Sequence, residues 1–196
     1  MFQDIPEVML ERMSVLEGID TRDRVDGTPR TQRLRQVPSE AGRFLALMAA
    51  AAPPGPMIEI GASGGYSGLW LSLACRLHGR RLTTFEILPK KADLARETFS
   101  LTGVKDLIDL VEGDALSLLT GYDGIAFCFL DAEKEDYPAF YDLVVPRMSP
   151  GGLLLADNVI NHKDILAPFT ERALADERLD GVVVPIGNGV LLCRRR

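Results

Sequence analysis

From about residue 57 onward the chain alternates between short apolar runs and longer stretches of helical period. MIEI (57–60), RLTTFEI (81–87), LIDLVE (107–112), IAFCFL (125–130) and LLLA (153–156) have the length and composition of buried strands. Helices are expected between them: from the glycine-rich segment through about His78, from Pro89 to Gly103, after Asp131 through about Val145, and over about 163 to 178. Pro89 and Gly103 suit a helix start and stop. VVVP and VLLC, separated by Ile186-Gly187-Asn188-Gly189, read as an antiparallel hairpin. Such alternation predicts an α/β fold, a parallel sheet with helices on both faces.

Ahead of this pattern a helix is expected over 4–17. Asp4 would cap it, Pro6 would sit in its first turn, and Glu7 completes a capping-box-like spacing. Residues 19–37 are polar, contain Gly27 and Pro29, and read as a loop. A second helix follows Pro38-Ser39 and ends at the breaker Pro53-Pro54-Gly55-Pro56. The expectation is one domain over 1–196, with 38–196 as catalytic core and 1–37 as a helix and loop, a candidate lid.

Composition narrows the class. With 196 residues, 46% of them hydrophobic, the chain can fill one sizeable core. A net charge of −6 disfavours nucleic-acid and anionic-membrane partners. Arg22, Arg24, Arg30, Arg33 and Arg35 fall close together, but Asp20, Asp23 and Asp26 interrupt them, so that stretch reads as a solvated loop. Cys75, Cys128 and Cys193 lie far apart without CxxC spacing, which argues against zinc and suits a reducing cytosol. MFQDIPEVMLERM has no basic start followed by an apolar stretch, and no apolar run reaches membrane-span length, so a soluble, cytoplasmic protein is expected.

The chemistry lies where the strands stop. In open parallel sheets, ligands bind outside the carboxyl ends of the strands. Here those ends carry Glu59 with the small-residue run Gly61 to Gly65, then Glu86, Gly113-Asp114, Asp131 and Asp157-Asn158. A glycine loop lets backbone approach a ligand closely, and an acid at the second strand's end can hold ribose hydroxyls. No Lys or Arg lies within the glycine loop and no GK[ST] follows, which disfavours a phosphate-bearing cofactor. An acidic crevice suits the sulfonium of S-adenosylmethionine. If the fourth and fifth strands are neighbours, Asp131, Asp157 and Asn158 form a hard-oxygen site for Mg²⁺ or another divalent cation. Lys134 could then take a hydroxyl proton. Plainer roles remain open: Asp131 as a helix cap, Lys134 as an exposed lysine, Asp157-Asn158 as a turn.

EIGASGGYSGLWL, TTFEI, EGDALSLL, FLDAEKEDYPAFYDLVVPRMSPGGLLLADN and VVVPIGNGVLLC together resemble the class I S-adenosylmethionine-dependent O-methyltransferases. The nearest group is that of the catechol and caffeoyl-coenzyme A O-methyltransferases and their small bacterial relatives. The resemblance covers residues 38–196. It implies a Rossmann-like seven-stranded sheet, mostly parallel with an antiparallel last strand. It assigns Glu59, Gly61, Ala62, Ser63, Gly65, Ser67, Glu86, Ile87, Gly113, Asp114, Ala115 and Asp131 to the cofactor. Asp131, Asp157 and Asn158 fall at metal positions, and Lys134, with Asp131, at the catalytic ones. A homodimer is the usual assembly. Family members commonly carry a Trp soon after the DN pair, whereas this chain has Val159-Ile160-Asn161-His162-Lys163, so the acceptor does not carry over and the role of His162 stays open. The expected activity is metal-dependent O-methylation of a small hydroxylated, catechol-like acceptor. The alternatives are a methyltransferase acting on protein or RNA, a nicotinamide-dependent oxidoreductase, and a cofactor-binding regulator without catalysis.

Overall fold

A computed structural model describes residues 4–196. Strands β1 (Met57–Ile60), β2 (Leu82–Glu86), β3 (Ile108–Glu112), β4 (Ile125–Leu130), β5 (Met148–Ala156), β6 (Leu179–Val184) and β7 (Val190–Arg195) form one sheet in the order β3-β2-β1-β4-β5-β7-β6. β1 pairs in parallel with both β2 and β4, and β4 with β5, while β7 runs antiparallel to its neighbours β5 and β6. All residues of β1 and β4 are buried, as continuous apolar strands in the middle of a two-sided sheet must be.

Helices α1 (Glu7–Asp23), α2 (Ser39–Ala51), α3 (Tyr66–His78) and α4 (Pro89–Leu101) pack on one face around Met9, Leu16, Leu45, Trp70 and Phe99. Helices α5 (Ala115–Leu118), α6 (Tyr137–Val144) and α7 (Lys163–Ala175) cover the other around Tyr137, Phe140, Leu154 and Phe169. The sequence explains several boundaries. α3 ends at Gly79 in the left-handed region, where Arg80 N donates to Cys75 O. α4 starts on Pro89 and is followed by Gly103 at φ 66°, with Val104 N donating to Phe99 O.

Four expectations need correction. The cap of α1 is Pro6 rather than Asp4, and no side chain caps it. α1 runs past Gly18 to Asp23, so the expected loop over 19–37 begins at Arg24. The Arg24–Asp20 pair one turn apart and the Thr21 hydroxyl on Glu17 O support the extra turns. β5 begins at Met148 instead of Leu153, because Met148 pairs with Ile125 and a register shift in the ladder absorbs the proline and glycines. A 3₁₀ turn (Lys134–Asp136) precedes α6, so that Asp131 and Lys134 lie on a loop and turn ahead of the helix.

Segment 24–38 is a solvated loop only in its first part, to Gln32; from Arg33 onward it is held against the rest of the protein. Asp20 Oδ1 accepts from Arg35 N at 2.8 Å and buried Asp23 accepts from Leu34 N at 3.2 Å. Gln36 donates to Leu16 O, and Ser63 Oγ donates to Leu34 O at 2.8 Å. Two of the three acids that break up the arginine run, Asp20 and Asp23, are thus clamps that fold it over the carboxyl ends of the strands. The three cysteines are buried and free. No helix among the described residues is long and apolar enough to cross a membrane.

Candidate active site

A cavity of about 370 Å³ opens at the carboxyl ends of β1, β2, β4 and β5, roofed by segment 24–38. This size lies in the range of small-molecule sites. Gly61, Ala62, Ser63, Ser67, Glu86, Ile87, Gly113, Asp114, Ala115, Asp131, Lys134 and Asn158 all line it. Glu59, Gly65 and Asp157 do not.

The first half is built by the β1–α3 loop. Gly61 has φ 102°, and a Cβ there would collide with the Asp131 carbonyl oxygen. Gly61 N and Ala62 N both donate to Phe85 O. The loop therefore lies flat across β2 and β4, where its side-chain-poor backbone lets a ligand approach closely. Gly65 acts behind the wall: at φ 88° it caps α3 against the Phe99 ring. Glu86 accepts from Ser63 N at 2.7 Å and Leu88 N at 2.9 Å. Each carboxylate oxygen keeps a lone pair for a further donor. Asp114 caps α5 through Leu116 N.

Glu59 is fully buried beneath this loop. Oε2 accepts from Thr84 Oγ1 at 2.6 Å, and Oε1 has no hydrogen-bond partner. Burial pushes its pKa up to about 7, only partly offset by the nearby Ser67 and Thr84 hydroxyls. A carboxyl raised in this way adds stability that is complete below the unfolded value near 4.5 and is lost as pH climbs through about 7. Glu59→Gln should therefore be more stable than wild type at pH 8, with the difference shrinking toward pH 5. Urea unfolding midpoints across that range check this, and a constant difference would remove Glu59 as the titrating group.

The second half joins the ends of β4 and β5. Lys134, 4% exposed, donates from Nζ to Asp131 Oδ1 at 2.9 Å, Ala132 O at 3.0 Å and Tyr137 Oη at 3.0 Å. The Tyr137 hydroxyl lies 3.2 Å from both Leu130 O and Asp157 O, tying the two strand ends together. Burial pushes its pKa far up, so it stays a neutral phenol. Asp157 is buried; Oδ2 accepts from Asn158 Nδ2 at 2.9 Å, and Oδ1 has no partner. Burial, then the Asp131 charge, raise its pKa. Asn158 sits at φ 68°, which turns it to the cavity wall. Among the described residues no three His, Cys, Asp or Glu side chains converge on a metal position. The available set is two carboxylates and one amide, all-oxygen chemistry suited to a hard cation. A buried carboxylate oxygen left unpaired beside it fits such a group.

The β6–β7 turn supports the loop after β5. Val159 N donates to Gly189 O, and Ile160 N and Asn161 N to Asn188 O. Asn161, His162 and Asn188 join the lining. Burial and then Lys134 lower the His162 pKa, leaving it neutral at pH 7.

Among the lining residues that the sequence did not point to are five charged ones around the roof and the loop after β4, Arg30, Arg33, Arg35, Lys91 and Glu133. Arg35 and Glu133 form an ion pair between the roof and the loop after β4, which holds the Glu133 carboxyl below its usual range. The arginine spacing was the available signal; Lys91, buried in the first turn of α4, gave none.

Residues 22–196 match the O-methyltransferase family. Over 133 residues the chain is 36% identical to a catechol O-methyltransferase of Mycobacterium tuberculosis, covering 67% of this chain and 60% of that protein. It therefore spans less than two thirds of that relative's length. A caffeoyl-CoA O-methyltransferase of Eucalyptus globulus is 28% identical over 181 residues, covering 80% of this chain and 73% of that one. Among solved structures, an SAH-bound methyltransferase of Podospora anserina superposes with a TM-score of 0.79 at 25% identity, covering 98% of this chain and 89% of that one. Fold, strand-end chemistry and these matches agree: the chain belongs to the O-methyltransferase family.

Proposed function

We propose that this protein transfers a methyl group from S-adenosylmethionine to a hydroxyl of a small acceptor, with a divalent cation at the ends of β4 and β5. The observation that carries this reading is the shared cavity. One half presents a glycine loop and a ribose-competent carboxylate; the other presents Asp131, Lys134 and Asn158 above Asp157. S-adenosylmethionine would supply an electrophilic methyl group on a sulfonium. A cation held by Asp131, Asp157 and Asn158 would make an acceptor hydroxyl more acidic.

The chain's own residues do the rest. Glu86 receives the ribose hydroxyls, and the 113–115 segment borders the adenine. Asp131 borders both halves, so its charge favours a sulfonium on one side and fixes the acceptor end on the other. Lys134 Nζ relays the hydroxyl proton to solvent, giving up one of its own protons before it receives that of the hydroxyl, as the O–C bond forms and the S–C bond breaks. Its ties to Ala132 O and Tyr137 Oη hold that nitrogen in place throughout. Alignment of the two halves then supplies much of the rate.

Glu86→Ala should weaken S-adenosylmethionine binding by about tenfold to a hundredfold, since hydrogen bonds to a charged group are lost. Calorimetric titration of the cofactor reads this directly, and wild-type affinity in the variant would remove Glu86 from the ribose position. In the wild-type protein, saturable binding of S-adenosylmethionine, with catechol binding that requires Mg²⁺, is the expected result. A folded sample that binds no S-adenosylmethionine would overturn the proposal.

A further inference from the structure

Much of the cavity lining on the roof and on the loops after β4 and β5 is polar. The roof contributes Arg30, Arg33 and Arg35; the loops after β4 and β5 contribute Glu133, Asn161 and His162. A purely apolar acceptor lying there would desolvate these groups without replacing their hydrogen bonds.

The arginines are not equally committed. Arg35 is neutralised by Glu133, and Arg24, further along the roof, by Asp20. Arg33 spends only Nε, on the Thr28 carbonyl at 2.8 Å, leaving its terminal nitrogens without a carboxylate partner. Arg30 makes no side-chain hydrogen bond or ion pair among the described residues, and it lines the cavity together with Glu133 and His162. The roof meets the acceptor side here, since Arg35, two residues beyond Arg33, reaches Glu133 in the loop that carries Asp131. The chain as a whole carries a net charge of −6, so two uncompensated guanidinium groups at one rim are not the tail of a basic surface. The Asp20 and Asp23 clamps on Arg35 N and Leu34 N hold the segment that carries them.

We propose that the acceptor bears, besides the hydroxyl that receives the methyl group, a carboxylate or phosphate that Arg30 and Arg33 bind. This rests on the methyltransferase reading of the cavity. Guanidinium forks match both oxyanions in shape and charge. Arg30 is exposed and Arg33 half-buried, so the attraction is screened by salt.

The test compares three probes on the full chain: catechol, 3,4-dihydroxybenzoate and 3,4-dihydroxyphenyl phosphate. Rates are measured with S-adenosylmethionine and affinities with S-adenosylhomocysteine present. At low salt, at least one anionic probe should exceed catechol by about tenfold in kcat/KM and in affinity. The better of the two tells carboxylate from phosphate. The advantage should fall as salt is added. In Arg30→Gln/Arg33→Gln the anionic-to-neutral ratio should collapse toward one, through KM more than kcat, while Arg30→Lys/Arg33→Lys keeps much of it. No anionic advantage in wild type overturns the proposal, as does an advantage that survives in the folded glutamine variant. Should the glutamine variant not fold, an advantage indifferent to salt overturns it equally. Methyl transfer to catechol without anionic preference would sink this inference and leave the methyltransferase reading standing. Arginine-dependent anion binding with no methyl transfer to any probe would do the reverse.

Discussion

Replacing Asp131 by alanine is expected to cost both turnover and stability. The side chain lines the cavity and accepts from Lys134, an ammonium only 4% exposed. Removing it leaves that charge buried with one carbonyl and one phenol as partners. The loss should be about 2–3 kcal/mol, read from urea unfolding, since a buried charge stripped of its counter-ion is expensive. Turnover on any accepted catechol should fall about 10³-fold, because the residue adjoins both the methyl donor and the acceptor. Asp131→Asn separates the two effects. The amide oxygen still accepts from Lys134, so stability should largely return while activity does not. An asparagine variant with near-wild-type turnover would reduce Asp131 to a structural partner of Lys134.

The second large effect is expected at Gly61. Its φ of 102° is a conformation that side-chain-bearing residues avoid, and the added Cβ would run into the Asp131 carbonyl. Because that atom is backbone, relief requires β1 and β4 to shift at their carboxyl ends. Gly61→Ala should cost about 3 kcal/mol and weaken S-adenosylmethionine binding more than tenfold. Gly79→Ala is the control: it also has positive φ, 62°, but nothing lies within 4 Å of the added atom. That variant should lose about 1 kcal/mol and keep its cofactor affinity. Equal losses at both positions would mean that backbone strain, not the collision, dominates at Gly61.

The parallel core was legible because burial on both faces writes itself into sequence as uninterrupted apolar runs. MIEI and IAFCFL are β1 and β4 to the residue. Ladder neighbours are less visible, but the acids after each run needed a common rim, and the pairing of β4 with β5 brings Asp131 and Asp157-Asn158 to one. What stayed hidden was carried by long-range side-chain contacts. Asp20 and Asp23 look like charges that keep a loop in solvent; their oxygens instead accept from amides 15 and 11 residues onward. Nothing local distinguishes a clamping aspartate from a solvated one. For the same reason Glu59, expected at the cofactor, lies beneath the loop, and Asp157 below the wall. A strand's alternation decides which carboxylates look outward, and a one-residue difference in register inverts the answer.

Ser63 belongs to two structures at once. Its amide hydrogen goes to Glu86 on the floor of the cavity, and its hydroxyl goes to Leu34 in the roof. Floor and ceiling therefore share a hinge pin, reinforced across the opening by Arg35 and Glu133. Lifting the roof off the floor requires both fastenings to let go, so wherever the cycle needs the roof to open, its tempo is written in these links as much as in the groups that touch the reacting atoms.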